Sequence, residues 1–179
     1  MLTLFTNLNK KLNEFAKYVK QQSRSRLSKD KKNDTKRLYD SVTYNTSVTE
    51  DNATVGFIMA EYGAYVDQGV HGTDSSYISA AGSDFRYKQS SNLMGFEMAT
   101  GTFAKWAKRK NFRFRNEKGQ FEKGKYKQIG IAIALSIKKK GLKGNKFFTR
   151  SLEAGLDKYK TEFEDSIEMD IQEYLNLEE

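Results

Sequence analysis

The sequence contains no cysteine and no proline, and it has only one histidine and one tryptophan among 179 residues. Without cysteine, a disulfide scaffold, a thiol nucleophile, a zinc finger and an iron–sulfur cluster are all excluded. A single histidine argues against a histidine-rich metal centre. No apolar run approaches the roughly 20 residues that a membrane span needs. Residues 1–15 lack the basic, apolar and small-residue regions that follow one another in a signal peptide. We therefore expect a soluble protein of the cytoplasm that has no membrane partner.

Charged residues are grouped in blocks of alternating sign, beneath a net charge of +8. The net charge is +6 over residues 1–50, −5 over residues 51–84, +15 over residues 85–150 and −8 over residues 151–179. The basic block suits the phosphates of a nucleic acid, especially where aromatic residues lie nearby. Equally, basic and acidic blocks could face one another between copies of the chain. Charge alone leaves both interpretations open.

Apolar residues at helical spacing predict several amphipathic helices. They place an N-terminal helix over residues 1–22, a second helix ending near Lys110, a third around Ile133, and a long C-terminal helix over residues 147–177. The third helix should end at residues 138–141, where three lysines precede a glycine. Cations favour the negative end of a helix, and glycine favours the C-cap. The polar segment after the first helix is expected to be a solvated connector.

Two short runs of alternating apolar residues predict a β-hairpin over about residues 41–59. The first run ends at Val48, the second starts at Val55, and residues 49–52 form the polar turn. A small antiparallel sheet packed by several helices gives an α+β fold, and the chain length favours a single domain over residues 1–179.

The middle of the chain is the part whose structure the sequence defines least. Residues 70–92 are rich in glycine, serine and aspartate and predict a long loop, a feature that is usually functional in compact domains. Because two strands alone make a marginal sheet, either further strands lie within residues 70–95 and 111–125, or neighbouring copies extend the sheet.

Asp67, His71 and Asp74 lie close together in sequence at the start of this loop. One hypothesis is a metal-dependent hydrolase or acid–base site. The simpler interpretation is a polar loop with one titratable ring, since the sequence fixes no geometry for the acids. No phosphate-binding loop or serine-nucleophile motif is present. We therefore predict no enzyme, no catalytic residue, no cofactor and no bound metal.

A basic segment with interleaved phenylalanines is the best candidate for contact with a nucleic acid. Its basic residues are Lys105, Lys108, Arg109, Lys110, Arg113 and Arg115. Lysine and arginine neutralise phosphate, and the rings of Phe112 and Phe114 are suited to stacking on bases. The alternative is a basic surface whose phenylalanines anchor a loop to the core. These cations are predicted to face either DNA or a neighbouring subunit.

The segment from Glu61 to Gly69, EYGAYVDQG, resembles the YA-x-Y-V-E-x-G signature of minor virion proteins of tailed bacteriophages, the neck or tail-completion proteins of the lambda-like type. The signature positions in this chain are Tyr62, Ala64, Tyr65, Val66, Asp67 and Gly69. Phe147 and Phe148 fill the place of a second family segment, P-x-F-(L/F)-x-x-A, which opens the last helix. Asp67 stands where the family has glutamate, and no proline precedes Phe147.

The residues of the signature also have a physical interpretation of their own. Residues 61–68 predict one or two helical turns in which Tyr62, Tyr65 and Val66 pack on the hairpin. Gly69 should end the turn and release the long loop. We expect the loop to contact a neighbouring subunit or another partner.

The resemblance implies a structural virion protein that has no catalytic residues. It implies a homo-oligomeric ring in the neck, between the head portal and the tail, with DNA passing through the lumen. It also implies a closed, symmetric ring of about six or twelve copies. The implied partners are other neck, portal-adaptor and tail proteins, with non-specific contact to packaged DNA. The implied location is the virion, after assembly in the host cytoplasm. The alternative is a basic DNA- or RNA-binding module that uses residues 105–127.

Overall fold

The computed structural model describes residues 5–29, 35–49, 51–77, 80, 82–115, 118–122 and 125–176. The helices in these residues are α1 (Thr6–Lys29), α2 (Arg37–Ser41), α3 (Gly63–Gln68), α4 (Leu93–Thr100), α5 (Thr102–Arg109), α6 (Tyr126–Lys140) and α7 (Thr149–Leu175). The strands are β1 (Thr43–Val48), β2 (Ala53–Ile58), β3 (Gly69–His71), β4 (Phe114–Arg115), β5 (Phe121–Glu122) and β6 (Gly141–Lys143). The predicted α+β fold, with its hairpin and long C-terminal helix, is confirmed.

The chain divides into two compact units. Unit 1 comprises Met1–Gly63 and Lys146–Glu179, and unit 2 comprises Ala64–Asn145. The single domain predicted over residues 1–179 stays a prediction.

Unit 1 is built on an antiparallel pair of long helices. The N-terminal end of α1 lies beside the C-terminal half of α7, because the Asn7 N–H donates a hydrogen bond to the Asp170 carboxylate. Further along α1, the ring of Phe15 contacts the ring of Tyr159. One cluster of its core contains Phe15, Val19 and Tyr159, and partly buried apolar residues, most of them aromatic, pack around it. Gly155 of α7 permits the close approach, because a Cβ there would lie 2.8 Å from Val19 Cγ2.

The hairpin of β1 and β2 packs one face against this core. Thr43 pairs with Ile58 at the open end and Val48 with Ala53 at the turn. The Thr49 N–H donates to the Asn52 carbonyl across the turn (2.8 Å). Phe57 contacts the ring of Phe15. The hairpin therefore lies where the alternating pattern predicts it, within residues 41–59.

The N-terminal helix is longer than predicted. Residues 1–4 lie outside the described part, but α1 continues past residue 22 to Lys29. Ser23 and Leu27 are both fully buried, and they extend the inward stripe of Val19 in steps of four residues. The prediction of a solvated connector from about residue 23 was wrong as far as Lys29. Ser23 and Leu27 keep the helical spacing of buried residues within a charged sequence, so the helix continues.

Unit 2 contains two helices where one was predicted. Gly101, at a φ of +61°, separates α4 from α5. The buried side chain of Glu97 then caps α5, accepting hydrogen bonds from the backbone N–H groups of Phe103 (2.7 Å) and Ala104 (2.9 Å). Gly130 of α6 faces this carboxylate, and a Cβ there would overlap Glu97 Oε1. The absent side chain lets α6 pack closely on both helices.

The third predicted helix ends where its sequence indicates. Gly141 has a φ of +83°, and its N–H donates to the Ile137 carbonyl. The helix α6 thus ends at Gly141, directly after three lysines. Further strands are present in the middle of the chain, but they form separate two-stranded ladders. β3 pairs with β6 and β4 pairs with β5, so neither ladder extends the hairpin.

Candidate functional site

The signature segment forms α3 and the turn into β3. Asp67 is buried, whereas Tyr62 and Tyr65 are 39% and 47% exposed. The ring of Tyr65 lies 4.4 Å, centroid to centroid, from that of Phe85 in the following loop. Neither tyrosine is buried, and the packing of Tyr62, Tyr65 and Val66 on the hairpin stays a prediction. A six-residue helix has room to bury only one side, and here that side includes Asp67.

Gly69 ends α3 as the signature predicts. Its φ of +85° favours glycine, and a Cβ there would overlap the backbone of Gly144 and Leu142. Gly144 is equally confined, since a Cβ on it would overlap the carbonyl of Asp67. The two glycines thus allow the backbone after the signature to pair with the strand that follows α6.

The loop over residues 70–92 is partly structured, and its first residues belong to β3. His71 exchanges backbone hydrogen bonds with Phe85 (2.8 Å) and Tyr87 (2.9 Å), so the loop returns alongside β3. Burial raises the pKa of the Tyr87 hydroxyl. Residues 78, 79 and 81 lie outside the described part of the chain.

The same loop also covers the C-terminal end of α6. The N–H groups of Thr73 and Asp74 donate to the carbonyls of Lys138 (2.9 Å) and Lys139 (3.1 Å). These bonds satisfy carbonyls that a helix end leaves without partners. The contact of this loop with another subunit stays a prediction.

Asp67, His71 and Asp74, the residues of the metal-site hypothesis, are not brought together as a set of ligands. Among the described residues, no group of three or more His, Asp or Glu side chains is arranged to hold a metal ion. Asp74 instead accepts hydrogen bonds from the hydroxyl (2.6 Å) and N–H (3.0 Å) of Ser76. These bonds, with Lys139 nearby, lower the pKa of the Asp74 carboxyl.

The six predicted basic residues are brought together along α5 and the chain that follows it. All six side chains are exposed. Ala104 and Ala107 are buried, whereas Lys105, Lys108 and Arg109 occupy the outer side of α5 at helical spacing. We call this surface the basic face and define it by Lys105, Lys108, Arg109, Lys110, Arg113 and Arg115.

A tight helix end fixes the direction in which the basic face continues. Asn111 has a φ of +54°, its N–H donates to the Lys108 carbonyl, and the Phe112 N–H donates to the Ala107 carbonyl. These two bonds form a Schellman motif. The apolar contact that usually accompanies the motif is made by Trp106 and Phe112, whose ring centroids are 5.0 Å apart. The following residues are therefore held close to the end of α5.

Aromatic rings accompany the cations of the basic face in different ways. Phe112 packs on Trp106 and is still 45% exposed. Phe121, opposite Arg115 in the β4–β5 ladder, is 60% exposed, with the Arg115 guanidinium 4.8 Å from its ring centre. The side chain of Phe114 lies outside the described part. Neither Phe112 nor Phe121 is buried as a core anchor.

A pocket beside the basic face was not predicted from the sequence. It has a volume of about 240 Å³ and is lined by Phe112, Arg113, Ile129, Ala132, Ile133 and Ser136. The last four residues occupy one side of α6 at spacings of three and four, and Arg113 adds a guanidinium to otherwise mostly apolar walls. Ile129 and Ile133 suggest a helix face in the sequence, but only the return of the chain after α5 makes that face concave.

Comparison with known proteins identifies no relative. No family model matches the sequence, and no curated protein or solved structure is significantly similar to it. None of the helices in the described ranges is long and apolar enough to cross a membrane.

Proposed function

We propose that this chain is a structural virion protein of a tailed bacteriophage. It forms an oligomeric ring in the neck, as a head-to-tail connector or tail-completion subunit, and DNA passes through the ring. The observation that carries the proposal is the signature segment in its setting. Residues 61–69 follow the hairpin, form α3, and end at Gly69, whose positive φ and crowded surroundings require a glycine.

The distribution of charge supports the same proposal. Unit 2 has 16 Lys and Arg residues against 6 Asp and Glu residues, a net charge of +10. Six of these cations are exposed together on the basic face. A positive surface beside a DNA channel lowers the repulsion between packaged phosphates without requiring sequence recognition.

The second segment of the resemblance has a structural role in unit 1. Phe147 is fully buried, and Phe148 packs against Phe57 of the hairpin with ring centroids 5.3 Å apart. These two residues lead directly into α7 at Thr149. A helix start anchored in this way supports a fixed position for the acidic C-terminal helix in an assembled particle.

Absolute mass by light scattering tests the ring. The purified protein would be measured over a range of concentrations at moderate salt, and particles of discrete mass would be imaged for a central pore. We expect one closed species of about six or twelve copies. A protein that stays at the 20.6 kDa monomer, or a mass that rises without limit, contradicts a self-assembling ring.

A nucleic-acid-binding module is the second candidate, favoured by the exposed cations of the basic face. Its affinity for DNA should fall steeply as salt rises. Replacing Arg113 and Arg115 by glutamate should then remove most of the binding. Lys10→Glu with Lys17→Glu is the matched control, because it makes the same change of charge on exposed residues of α1. Absence of binding by the wild type at low salt eliminates this candidate.

A further inference from the structure

We propose that the pocket beside the basic face binds the outer surface of α7 from a second copy of this chain, in a head-to-tail contact. The inference rests on the proposed ring and identifies its interface. An isoleucine of α7 enters the apolar pocket, and a neighbouring glutamate pairs with Arg113.

The accepting surface combines apolar walls with positive charge. Ile129, Ala132 and Ile133 line the pocket from α6, and Phe112 adds an aromatic ring to the lining. Arg113 lies in the lining and is exposed to solvent. The pocket therefore suits an apolar side chain that carries a carboxylate close beside it.

The outer surface of α7 presents such a group. Ile167, Ile171 and Tyr174 follow one another at steps of four and three residues, which places them on one side of the helix. They are 39%, 48% and 46% exposed. We call these three residues the α7 stripe. Glu164 and Glu168, both exposed, each lie three residues before an isoleucine of the stripe.

The inner side of the same helix is already occupied within unit 1. Tyr159, Ser166 and Asp170 are buried there, and Asp170 accepts hydrogen bonds from the N-terminus of α1. The α7 stripe therefore lies on a different side of the helix from the packing surface of unit 1.

Charge complementarity selects a second copy as the occupant. Residues 151–179 carry a net charge of −8, and unit 2 carries +10. DNA would account for the cations of the basic face but not for the apolar pocket. In the proposed head-to-tail arrangement the contact is heterologous, and each copy offers its pocket to one neighbour and its α7 stripe to the other. Such a contact closes into a ring when its rotation permits.

Two variants that each disable one surface test the contact. The pocket variant is Arg113→Glu, and the stripe variant is Ile167→Lys with Ile171→Lys. All three positions are exposed, so the variants should fold, and circular dichroism checks this. Each variant alone should associate at least about tenfold more weakly than wild type. Met169→Lys is the matched control, since Met169 is 50% exposed on α7 but lies away from the stripe.

Mixing the two variants gives the decisive measurement. The intact α7 stripe of the pocket variant should bind the intact pocket of the stripe variant. Light scattering should then show a 1:1 complex of about twice the 20.6 kDa monomer mass, and no larger species. Wild-type oligomers that persist unchanged in both variants would overturn the contact and leave the ring standing. Weak association of each variant without complex formation in the mixture would also overturn it, as would a wild type that never associates.

The mixing experiment also separates this inference from the proposed function. A 1:1 complex in the mixture, with open-ended wild-type polymers, supports the contact and contradicts the ring. Loss of DNA binding by Arg113→Glu, with an unchanged oligomeric mass, contradicts the contact and assigns the pocket rim to DNA.

Discussion

In each unit a buried carboxylate accepts hydrogen bonds at the N-terminus of a helix. The two units differ in how far along the chain the carboxylate lies from the helix that it caps. In unit 1, Asp170 accepts hydrogen bonds from the N–H groups of Asn7 (2.9 Å) and Leu8 (2.8 Å), 163 and 162 residues away. In unit 2, Glu97 of the preceding helix accepts hydrogen bonds from the N–H groups of Phe103 and Ala104. The start of α1 thus depends on tertiary packing against α7, whereas α5 is capped by its immediate neighbour.

The aromatic core of unit 1 and helix α4 of unit 2 place their large apolar side chains differently. Phe15 of unit 1 contacts three other aromatic rings and is 5% exposed. In α4 of unit 2 the arrangement is reversed, because Glu97 is buried while Phe96 and Met98 are 50% and 69% exposed. Unit 1 has a net charge of −2 and unit 2 of +10. Both units expose apolar side chains, but only in unit 2 do they accompany strong positive charge.

Replacing one phenylalanine in each unit should give the largest contrast. Phe15→Ala removes a ring from the aromatic core and should lower the free energy of unfolding by about 3–5 kcal/mol. Phe96→Ala removes a half-exposed ring and should cost less than about 1 kcal/mol, because little buried area is lost. Urea unfolding followed by circular dichroism measures both values.

The predicted difference in stability between Phe15→Ala and Phe96→Ala can be contradicted by one result. Equal losses of stability would mean that exposure does not distinguish the two aromatic environments. Trp106, the single tryptophan, lies in α5 and supplies a fluorescence signal specific to unit 2. The Phe96→Ala transition should therefore be followed by both signals.

Removing the two carboxylate caps should have a smaller effect. Asp170→Ala and Glu97→Ala each leave two backbone N–H groups without their acceptors, at a cost of about 1–3 kcal/mol. The amide variants Asp170→Asn and Glu97→Gln retain one accepting oxygen and should lose less. Chemical unfolding measures all four variants, and Trp106 fluorescence reports the change at α5.

The caps also differ in which contacts their loss should disturb. Asp170→Ala should loosen the α1–α7 pairing, so proteolysis should reach the start of α1 sooner than in wild type. Glu97→Ala should leave that region protected, since its bonds lie within unit 2. The same cleavage pattern in both variants would contradict the distinction between a distant and a local cap.

Local patterns in the sequence were sufficient for the elements that have a regular period. The hairpin, α6 with its Gly141 end, and the long α7 follow from apolar spacing and from chain-ending residues. The extension of α1 was missed because Ser23 is polar, although the fold buries it completely. The break at Gly101 was missed because the apolar pattern runs across it without interruption.

The candidate site was predictable in its composition and not in its shape. Its six cations could be recognised because charge and exposure go together in a basic segment. The pocket could not, since it requires Phe112 to return toward Ile129 after the turn at Asn111. Which residues line a cavity depends on such long-range packing, and no short pattern encodes it.

The smallest expected effect compares how each unit stabilises a partly exposed carboxylate, Glu14 in unit 1 and Asp74 in unit 2. The ammonium group of Lys11, 3.0 Å from Glu14, lowers the pKa of Glu14 through a charged hydrogen bond, and Lys11 also bonds Glu162. In unit 2, the pKa of Asp74 is lowered first by the neutral hydroxyl and N–H of Ser76. Salt screens a charged partner more than a neutral one. Raising the salt concentration should therefore move the Glu14 pKa toward its usual value more than that of Asp74.

The direction of the pH dependence follows from these lowered pKa values. A carboxyl whose pKa is lower in the folded protein stabilises it above the unfolded pKa, and this stabilisation is lost as pH falls through the folded pKa. Acid should thus lower the free energy of unfolding of wild type more than that of Glu14→Gln. The difference should appear below the ordinary glutamate pKa of 4.5. NMR titration of the two carboxyl groups at low and high salt measures the effect. An Asp74 pKa that responds to salt as strongly as that of Glu14 would show that Lys139, rather than Ser76, dominates the environment of Asp74.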